Sequence, residues 1–97
     1  MWPVEFHDEA EEELAAATDW YAERNPSAAV AFADEIRDAV LSIAADPSRL
    51  PTLSPERQFY LLKRFPYLVV FRVLVDRVQV LAVAHAARRP GYWKHRG

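Results

Sequence analysis

The chain contains no cysteine, so it has no disulfide framework, no thiolate metal site and no cysteine nucleophile. Its apolar runs all fall short of the roughly 18 residues that a membrane-spanning helix requires. The first residues lack the basic flank and apolar stretch of a signal peptide. No phosphate-binding loop, nucleophile elbow or dinucleotide fingerprint is found. These absences predict a protein that uses no cofactor and does not enter a membrane, and they fit a cytosolic location.

The length and composition indicate one globular domain. The 97 residues form a single unit, residues 1–97, rather than two domains. A hydrophobic content of 52% excludes a disordered chain and is enough for one core without metal or disulfide support. The sequence pI of about 5.9 argues against a dedicated nucleic-acid-binding protein, because such domains are usually strongly basic.

The net charge of −2 conceals two halves of opposite sign. Residues 1–46 contain twelve acidic and two basic side chains, whereas residues 47–97 contain two acidic and ten basic ones. The basic half ends in a segment rich in cations and large aromatics, residues 85–96, called the basic tail below. We expect this tail to lie at the surface and to contact an anionic or flat partner.

The first half of the chain predicts a short strand and two helices. Residues 2–6 alternate weakly, and Asp8 with Glu11 three residues later forms a helix start with Asp8 as the N-cap. Asn25 then caps a second helix that has Pro26 at its first position. The connection is so short that the helices must pack as an antiparallel hairpin. The predicted buried stripes are Ala10, Leu14, Ala17 and Tyr21 (or Trp20) on the first helix, and Ala29, Phe32, Ile36, Ala39, Val40 and Ile43 on the second.

The second half of the chain follows the two-residue period of strands. After an irregular proline-containing linker over residues 46–56, we predict strands over residues 60–65, 68–75 and 78–84. Asp76 and Arg77 form a two-residue turn between the last two strands. The predicted class is therefore α+β: a short N-terminal strand, an antiparallel helical hairpin and a three-stranded antiparallel meander in one sheet, in the order β-α-α-β-β-β.

The order of elements and several short strings resemble the ParE/RelE superfamily of bacterial type II toxin–antitoxin toxins, and the ParE branch most. The resemblance covers nearly the whole chain. It rests on residues 10–14 with Trp20-Tyr21, on Phe32 and Ile36, on the string from Arg64 to Tyr67, and on His85, Arg88, Pro90, Tyr92 and Trp93. It implies a cytoplasmic toxin that a cognate antitoxin neutralises. ParE-like members inhibit DNA gyrase by binding, and RelE-like members cut messenger RNA on the ribosome.

The two branches differ in the chemistry that they need. RNA cleavage without a metal requires a base, a proton donor and cations on the scissile phosphate. By our alignment, Leu68 and Ala86 stand where RelE-like nucleases carry arginines, and neither side chain stabilises that charge. The resemblance therefore favours a binding toxin that is not an enzyme. A ribonuclease using His85, Arg88 and Tyr92 remains an alternative, as does a weakly toxic module in an autorepressor complex that reaches DNA only through the antitoxin.

The candidate target-binding residues are cations and aromatics of the second half: Arg64, His85, Arg88, Arg89, Tyr92 and Trp93. Structural roles compete with this interpretation for several of them. His85 at a strand end is typical of a partly buried histidine bonded to a carbonyl, and Trp93 is typical of a residue that completes a core. One of Arg88 and Arg89 is expected to pair with the acidic first helix while the other stays free.

Two further expectations concern the first helix. Glu11, Glu12 and Glu13 are predicted to form a solvated face. His7 and Glu11 have a spacing that could hold a metal, but no third ligand follows in register, so no metal site is predicted.

The antitoxin is expected to bring an amphipathic helix into an apolar groove beside the helical hairpin, or a strand onto a sheet edge. Coverage of the basic face by an acidic antitoxin segment is favoured.

Overall fold

A computed structural model, which describes residues 1–89 and 91–96, places the helical hairpin on one face of a five-stranded sheet. Pro90, part of the string that carried the resemblance, lies outside the described residues. The predicted α+β class and its order of main elements are confirmed. The elements are β1 Val4–Phe6, α1 Asp8–Arg24, α2 Pro26–Ala45, a 3-10 turn Pro47–Arg49, β2 Thr52–Ser54, β3 Arg57–Leu61, β4 Tyr67–Val73 and β5 Val78–His85.

The sheet is mixed and contains one strand more than predicted. Its order is β1-β5-β4-β3-β2, with β3, β4 and β5 forming the expected antiparallel meander. β1 pairs with β5 in parallel, Val4 opposite Val78. β2 lies inside the segment predicted as an irregular linker and pairs antiparallel with β3. The prediction of a linker was wrong there because three residues between prolines are too few to show an alternating pattern.

The boundaries of two hairpins also differ from the prediction. The predicted strand over residues 60–65 begins earlier, at Arg57, and ends at Leu61. The last turn lies one residue before the predicted Asp76-Arg77 pair. The N–H of Leu74 donates to the carbonyl of Arg77 (2.7 Å), so Val75 and Asp76 occupy the tip of the turn. Val75 is fully exposed at this tip. Its apolar side chain was the reason to extend the predicted strand to residue 75, whereas β4 ends at Val73.

The two helix starts illustrate one correct and one incorrect prediction. Asn25 caps α2 as expected, because its Oδ1 accepts from the N–H groups of Ser27 and Ala28. The prediction that Asp8 caps α1 was wrong. His7 is the cap, and its Nδ1 accepts from the N–H of Glu9 at 3.1 Å. Asp8 instead occupies the first helical turn, where its negative charge interacts favourably with the helix dipole.

Two apolar layers hold the domain together. The larger one lies between the helices and the sheet and includes Phe32, Ile43 and Phe71, all without exposed surface. The smaller one lies on the opposite face of the sheet and consists of Val70, Ala82, Ala84 and Trp93. Most residues of the predicted helical stripes line the larger layer, with Leu14 and Tyr21 only partly buried. Ala29 is buried and Val40 partly buried, but neither belongs to this layer.

A β-bulge in β5 changes which of its side chains face the helices. Val70 of β4 pairs with Ala82 and the next residue, Phe71, pairs with Val80, so Leu81 is an extra residue. Val78 and Val80 face the helices before the bulge, and Val83 faces them after it. An inserted residue shifts the alternation of side chains in this way. The bulge therefore gives Val83, and not Ala82, the position that faces the helices.

Candidate functional site

The candidate site lies at the C-terminal end of β5, where the neighbouring strand is missing. β1 pairs with β5 only as far as Val80. Beyond that point side chains take the place of a strand: Glu13 accepts from the N–H of Val83 (3.0 Å), and Arg96 donates to the carbonyl of Leu81 (3.0 Å). Unpaired buried backbone groups are costly, so these two contacts protect an otherwise open sheet edge.

Glu13 is the centre of the site, and the prediction that it lies on a solvated face was wrong. Its side chain is 15% exposed. Besides the N–H of Val83, its carboxylate accepts from the Tyr92 hydroxyl (2.7 Å) and from Nη1 of Arg96 (2.8 Å). Nη1 of Arg88 lies 3.7 Å from Oε2 of the same carboxylate. One glutamate on α1 thus connects the helix, the last strand and the basic tail.

Arg96 is the residue of the site that sequence reasoning missed. Its side chain is only 6% exposed, and its Nη2 also lies 3.0 Å from Oε2 of Glu9. Burial alone would lower the pKa of Arg96, but the hydrogen bond to Glu13 and the nearby negative charges outweigh it and raise the pKa. Arg96 is thus held as a cation. The opposite charges of the two halves were the only signal, because residues so far apart share no periodic pattern.

Tyr92 is half-buried and serves as a hydrogen-bond donor. Burial raises the pKa of its hydroxyl, and the hydrogen bond to the negatively charged Glu13 raises it further. The guanidinium of Arg88 lies 3.9 Å from the centre of the Tyr92 ring, within the range of a cation–π contact. Tyr92 therefore stays protonated around neutral pH, and its ring supports a surface arginine.

Arg88 and Arg89 divide as expected. Arg88 makes the ion pair with α1, yet its side chain remains 57% exposed. Arg89 is exposed, and no carboxylate of residues 1–89 and 91–96 lies within 4.0 Å of it. The basic tail thus presents at least two cations to solvent. An exposed pair such as Arg88 with Glu13 contributes roughly 0–1 kcal/mol, which leaves Arg88 available to a partner.

His85 does not take the partly buried role that was expected. The residue is exposed, and its Nδ1 accepts from the N–H of Ala87 (3.1 Å) instead of donating to a carbonyl. Its ring packs against the Tyr67 ring in a T-shaped arrangement, with the two ring centres 5.1 Å apart. The carbonyl of His85 accepts from the N–H of Arg88 (2.9 Å), which closes the turn that begins the basic tail.

Trp93 and Arg64 are the two remaining candidate residues. Trp93 is 6% exposed and completes the smaller apolar layer, so little of its ring is free for a partner. Arg64 lies on the turn between β3 and β4 and pairs with Glu35 of α2. That turn still adjoins the start of the tail, because the N–H of Ala86 donates to the carbonyl of Pro66 (2.7 Å).

Two grooves flank the exposed residues. The first, of about 640 Å³, runs between α1 and the ends of β4 and β5, and its lining includes Trp20 and Tyr67. The second, of about 480 Å³, lies on the other face of the sheet beside Trp93. His85 and Arg88 line both grooves and form a ridge between them, called the basic ridge below.

Among the described residues no group of three or more His, Cys, Asp or Glu side chains is arranged to hold a metal ion. Over the same ranges of the chain, no helix combines the length and apolarity needed to cross a bilayer.

Comparisons with known proteins point to one family. The sequence model described as "ParE toxin of type II toxin-antitoxin system, parDE" matches residues 4–90. A solved structure, "Chromosomal ParDE TA system from P. aeruginosa", superposes with a TM-score of 0.75 at 21% identity, covering 88% of this chain and 96% of the other. At that identity the structural match supports the fold alone. No curated protein sequence matches the chain.

Proposed function

Because the chain belongs to the ParE toxin family of type II toxin–antitoxin systems, we propose that it inhibits DNA gyrase by binding and that a cognate antitoxin neutralises it. The observation that carries the proposal is the basic ridge together with Arg89. These cations lie exposed on a segment that Tyr92, Trp93 and Arg96 anchor to the domain. A rigidly held, exposed cationic surface suits binding of an anionic or acidic target without loss of much conformational entropy.

The state of Tyr92 favours binding over RNA cleavage. Its hydroxyl already donates to Glu13, and its raised pKa makes it a poor proton acceptor and a poor proton donor near neutral pH. Leu68 and Ala86, where the resemblance leads one to look for catalytic arginines, bring no charge to the second groove. Arg57, Arg88 and Lys94 do line that groove. The ribonuclease alternative has less support because Tyr92, one of its three proposed residues, is already bonded to Glu13.

The antitoxin and the location of the protein complete the proposal. The chain acts in the cytoplasm, and it reaches DNA only indirectly, through the antitoxin complex. An acidic segment of the antitoxin covers the basic ridge, because oppositely charged surfaces both steer association and fix orientation. Occupation of the ridge by the antitoxin would then exclude the target.

A supercoiling assay with the purified chain tests this function. We expect the wild type to block supercoiling, and the double variant Arg88→Ala/Arg89→Ala to need at least about tenfold more protein, equivalent to about 1.4 kcal/mol. Arg37→Ala is the matched control, because Arg37 is an exposed arginine of α2 that also pairs loosely with a carboxylate, Asp34 at 3.4 Å. Unaltered supercoiling at large molar excess of wild type would contradict the proposal.

Two further measurements separate the alternatives. New 5′ ends on a translated message after induction, detected by primer extension, would favour the ribonuclease. Growth arrest on induction that the Arg88→Ala/Arg89→Ala variant lacks would support a toxin acting through the basic ridge. Absence of growth arrest with the wild type would support the weakly toxic module.

A further inference from the structure

We propose that Glu13 is the positioning residue of the basic tail, and that its carboxylate determines how Arg88 is presented to a partner. The inference rests on the proposed function only for its consequence at gyrase. The positioning itself follows from the contacts of one side chain. Glu13 does not belong to the exposed ridge, so its effect on binding would pass through the residues that it holds.

The first step concerns the open edge of β5. Glu13 accepts from the N–H of Val83, and Arg96, which Glu13 binds, donates to the carbonyl of Leu81. The helix and the tail together therefore complete the edge that β1 leaves uncovered beyond Val80. If Glu13 loses its charge, the strand loses a strong acceptor for one edge group, and Arg96 loses its buried counter-ion.

The second step concerns the acceptor capacity of the carboxylate. Two oxygens provide about four lone-pair positions, and three residues of the chain use them. Val83 and Nη1 of Arg96 bond Oε1, while the Tyr92 hydroxyl bonds Oε2. Nη2 of Arg96 also reaches Oε2 at 3.3 Å. An amide in place of the carboxylate has only one acceptor atom, so it cannot hold Tyr92 and Arg96 in this arrangement.

The third step connects Glu13 to the exposed surface. The guanidinium of Arg88 stacks on the Tyr92 ring at 3.9 Å, and Glu13 fixes the hydroxyl end of that ring. Arg96 is the closer ion-pair partner of Glu13, at 2.8 Å against 3.7 Å for Arg88. Glu13 is therefore largely neutralised by the buried arginine. Arg88 therefore keeps a defined position on the Tyr92 ring, and its guanidinium remains available to a partner.

The variant Glu13→Gln tests the positioning, with Glu12→Gln as the matched control because Glu12 is an exposed neighbour on the same helix. Hydrogen exchange should show amides of residues 86–89 and 91–96 exchanging at least about tenfold faster in Glu13→Gln than in the wild type. In spectrophotometric titration, one of the four tyrosines should ionise closer to the ordinary pKa of about 10. Comparison with Tyr92→Phe identifies that tyrosine, which faces Glu13, Arg88 and Arg96.

Potency against gyrase then links the positioning to function. We expect Glu13→Gln to lose at least about tenfold in inhibition, equivalent to about 1.4 kcal/mol, while Glu12→Gln keeps wild-type potency. If tail exchange and the tyrosine titration in Glu13→Gln match the control, the inference is overturned. If both change while even the wild type fails to inhibit gyrase, the positioning stands and the proposed function fails. If hydrogen exchange and the tyrosine titration change in Glu13→Gln while its inhibition of gyrase stays at the wild-type level, the proposed link between tail position and gyrase inhibition is overturned.

A second variant covers the case in which Glu13→Gln does not fold. Tyr92→Phe keeps the ring and removes only the hydroxyl that Glu13 accepts from. It should speed exchange in the tail, by a smaller factor than Glu13→Gln, and leave exchange in α2 unchanged. Unchanged tail exchange in Tyr92→Phe would count against the inference.

Discussion

Glu35 of α2 holds Arg64 and the turn between β3 and β4 through both oxygens of one carboxylate. Oε2 accepts from Nε of Arg64 (2.8 Å), and Oε1 accepts from the backbone N–H groups of Lys63 (2.8 Å) and Arg64 (3.3 Å). Glu35 is buried, whereas the Arg64 side chain is 68% exposed. The second helix thereby fixes the backbone next to the basic tail and leaves part of the Arg64 guanidinium on the surface.

Removal of this carboxylate should destabilise the domain. We expect Glu35→Ala to lower the free energy of unfolding by about 1–3 kcal/mol, because two backbone donors lose their acceptor. Asp34→Ala, which removes an exposed carboxylate from the adjacent position, should change it by no more than about 0.5 kcal/mol. Urea unfolding monitored by circular dichroism measures both. Equal effects of the two substitutions would contradict the role of Glu35.

The same carboxylate should make stability depend on acid. Burial raises the pKa of Glu35, but the hydrogen bonds from Arg64 and Lys63 outweigh burial and lower it overall. A lowered folded-state pKa contributes stability above the unfolded value of about 4.3, and this contribution is lost as pH falls through the folded-state pKa. The advantage of wild type over Glu35→Gln in unfolding free energy should therefore shrink between about pH 6 and about pH 3. A constant or growing difference would show that the pairing does not favour the charged form.

Two tryptophans offer a matched comparison of buried and exposed packing. Trp93→Ala should cost about 3–5 kcal/mol, because Trp93 fills the layer formed with Val70, Ala82 and Ala84. Trp20→Ala should cost clearly less, since Trp20 is 51% exposed and mainly contacts Arg24 and Tyr21. Denaturant unfolding of the two variants measures the contrast. Similar losses would mean that the tail does not complete the second layer.

Tyr92 should produce a loss of stability at high pH. Its folded-state pKa is raised by burial and by Glu13, so its contribution is complete below the unfolded value of about 10 and is lost as pH rises toward the folded value. Above about pH 10, the unfolding free energy of wild type should fall more steeply than that of Tyr92→Phe. Burial also raises the pKa of Tyr21 and Tyr67, but this effect is the same in wild type and in Tyr92→Phe. Parallel pH profiles would contradict the Tyr92–Glu13 contact.

Features encoded by near neighbours over several turns of a helix could be predicted, whereas short elements and distant contacts could not. The α2 stripe from Phe32 to Ile43, except Val40, and the Asn25 cap were predicted correctly because each depends on neighbours within a few residues. β2 was missed because three residues carry too little periodicity to detect. The bulge at Leu81 was not visible either, since valines and alanines on both sides of it conceal the shift in alternation.

The exposed cations of the candidate site were predictable, but their support was not. Arg88 and Arg89 stood out by composition, and both are exposed. The tail was expected to lie at the surface, with Trp93 as the residue typical of core packing. Trp93 is buried, but so is Arg96, and Tyr92 is half-buried. Glu13 was taken as one of three solvated glutamates. Glu13 lies three residues after Ala10 and four before Ala17, beside the predicted buried stripe, whereas Glu12 does not. That spacing does not identify its partners, because they come from the far end of the chain.

Local periodicity and composition are enough to predict the α+β class, the helical hairpin, the antiparallel meander and the separation of charge between the halves. Which carboxylate meets which cation depends on how the elements pack. Glu13 and Arg96 lie 83 positions apart in the chain, and they meet because α1 and the tail both bond the edge of β5 that β1 leaves uncovered. Chain connectivity sets local conformation, whereas three-dimensional packing selects the partners of buried charges.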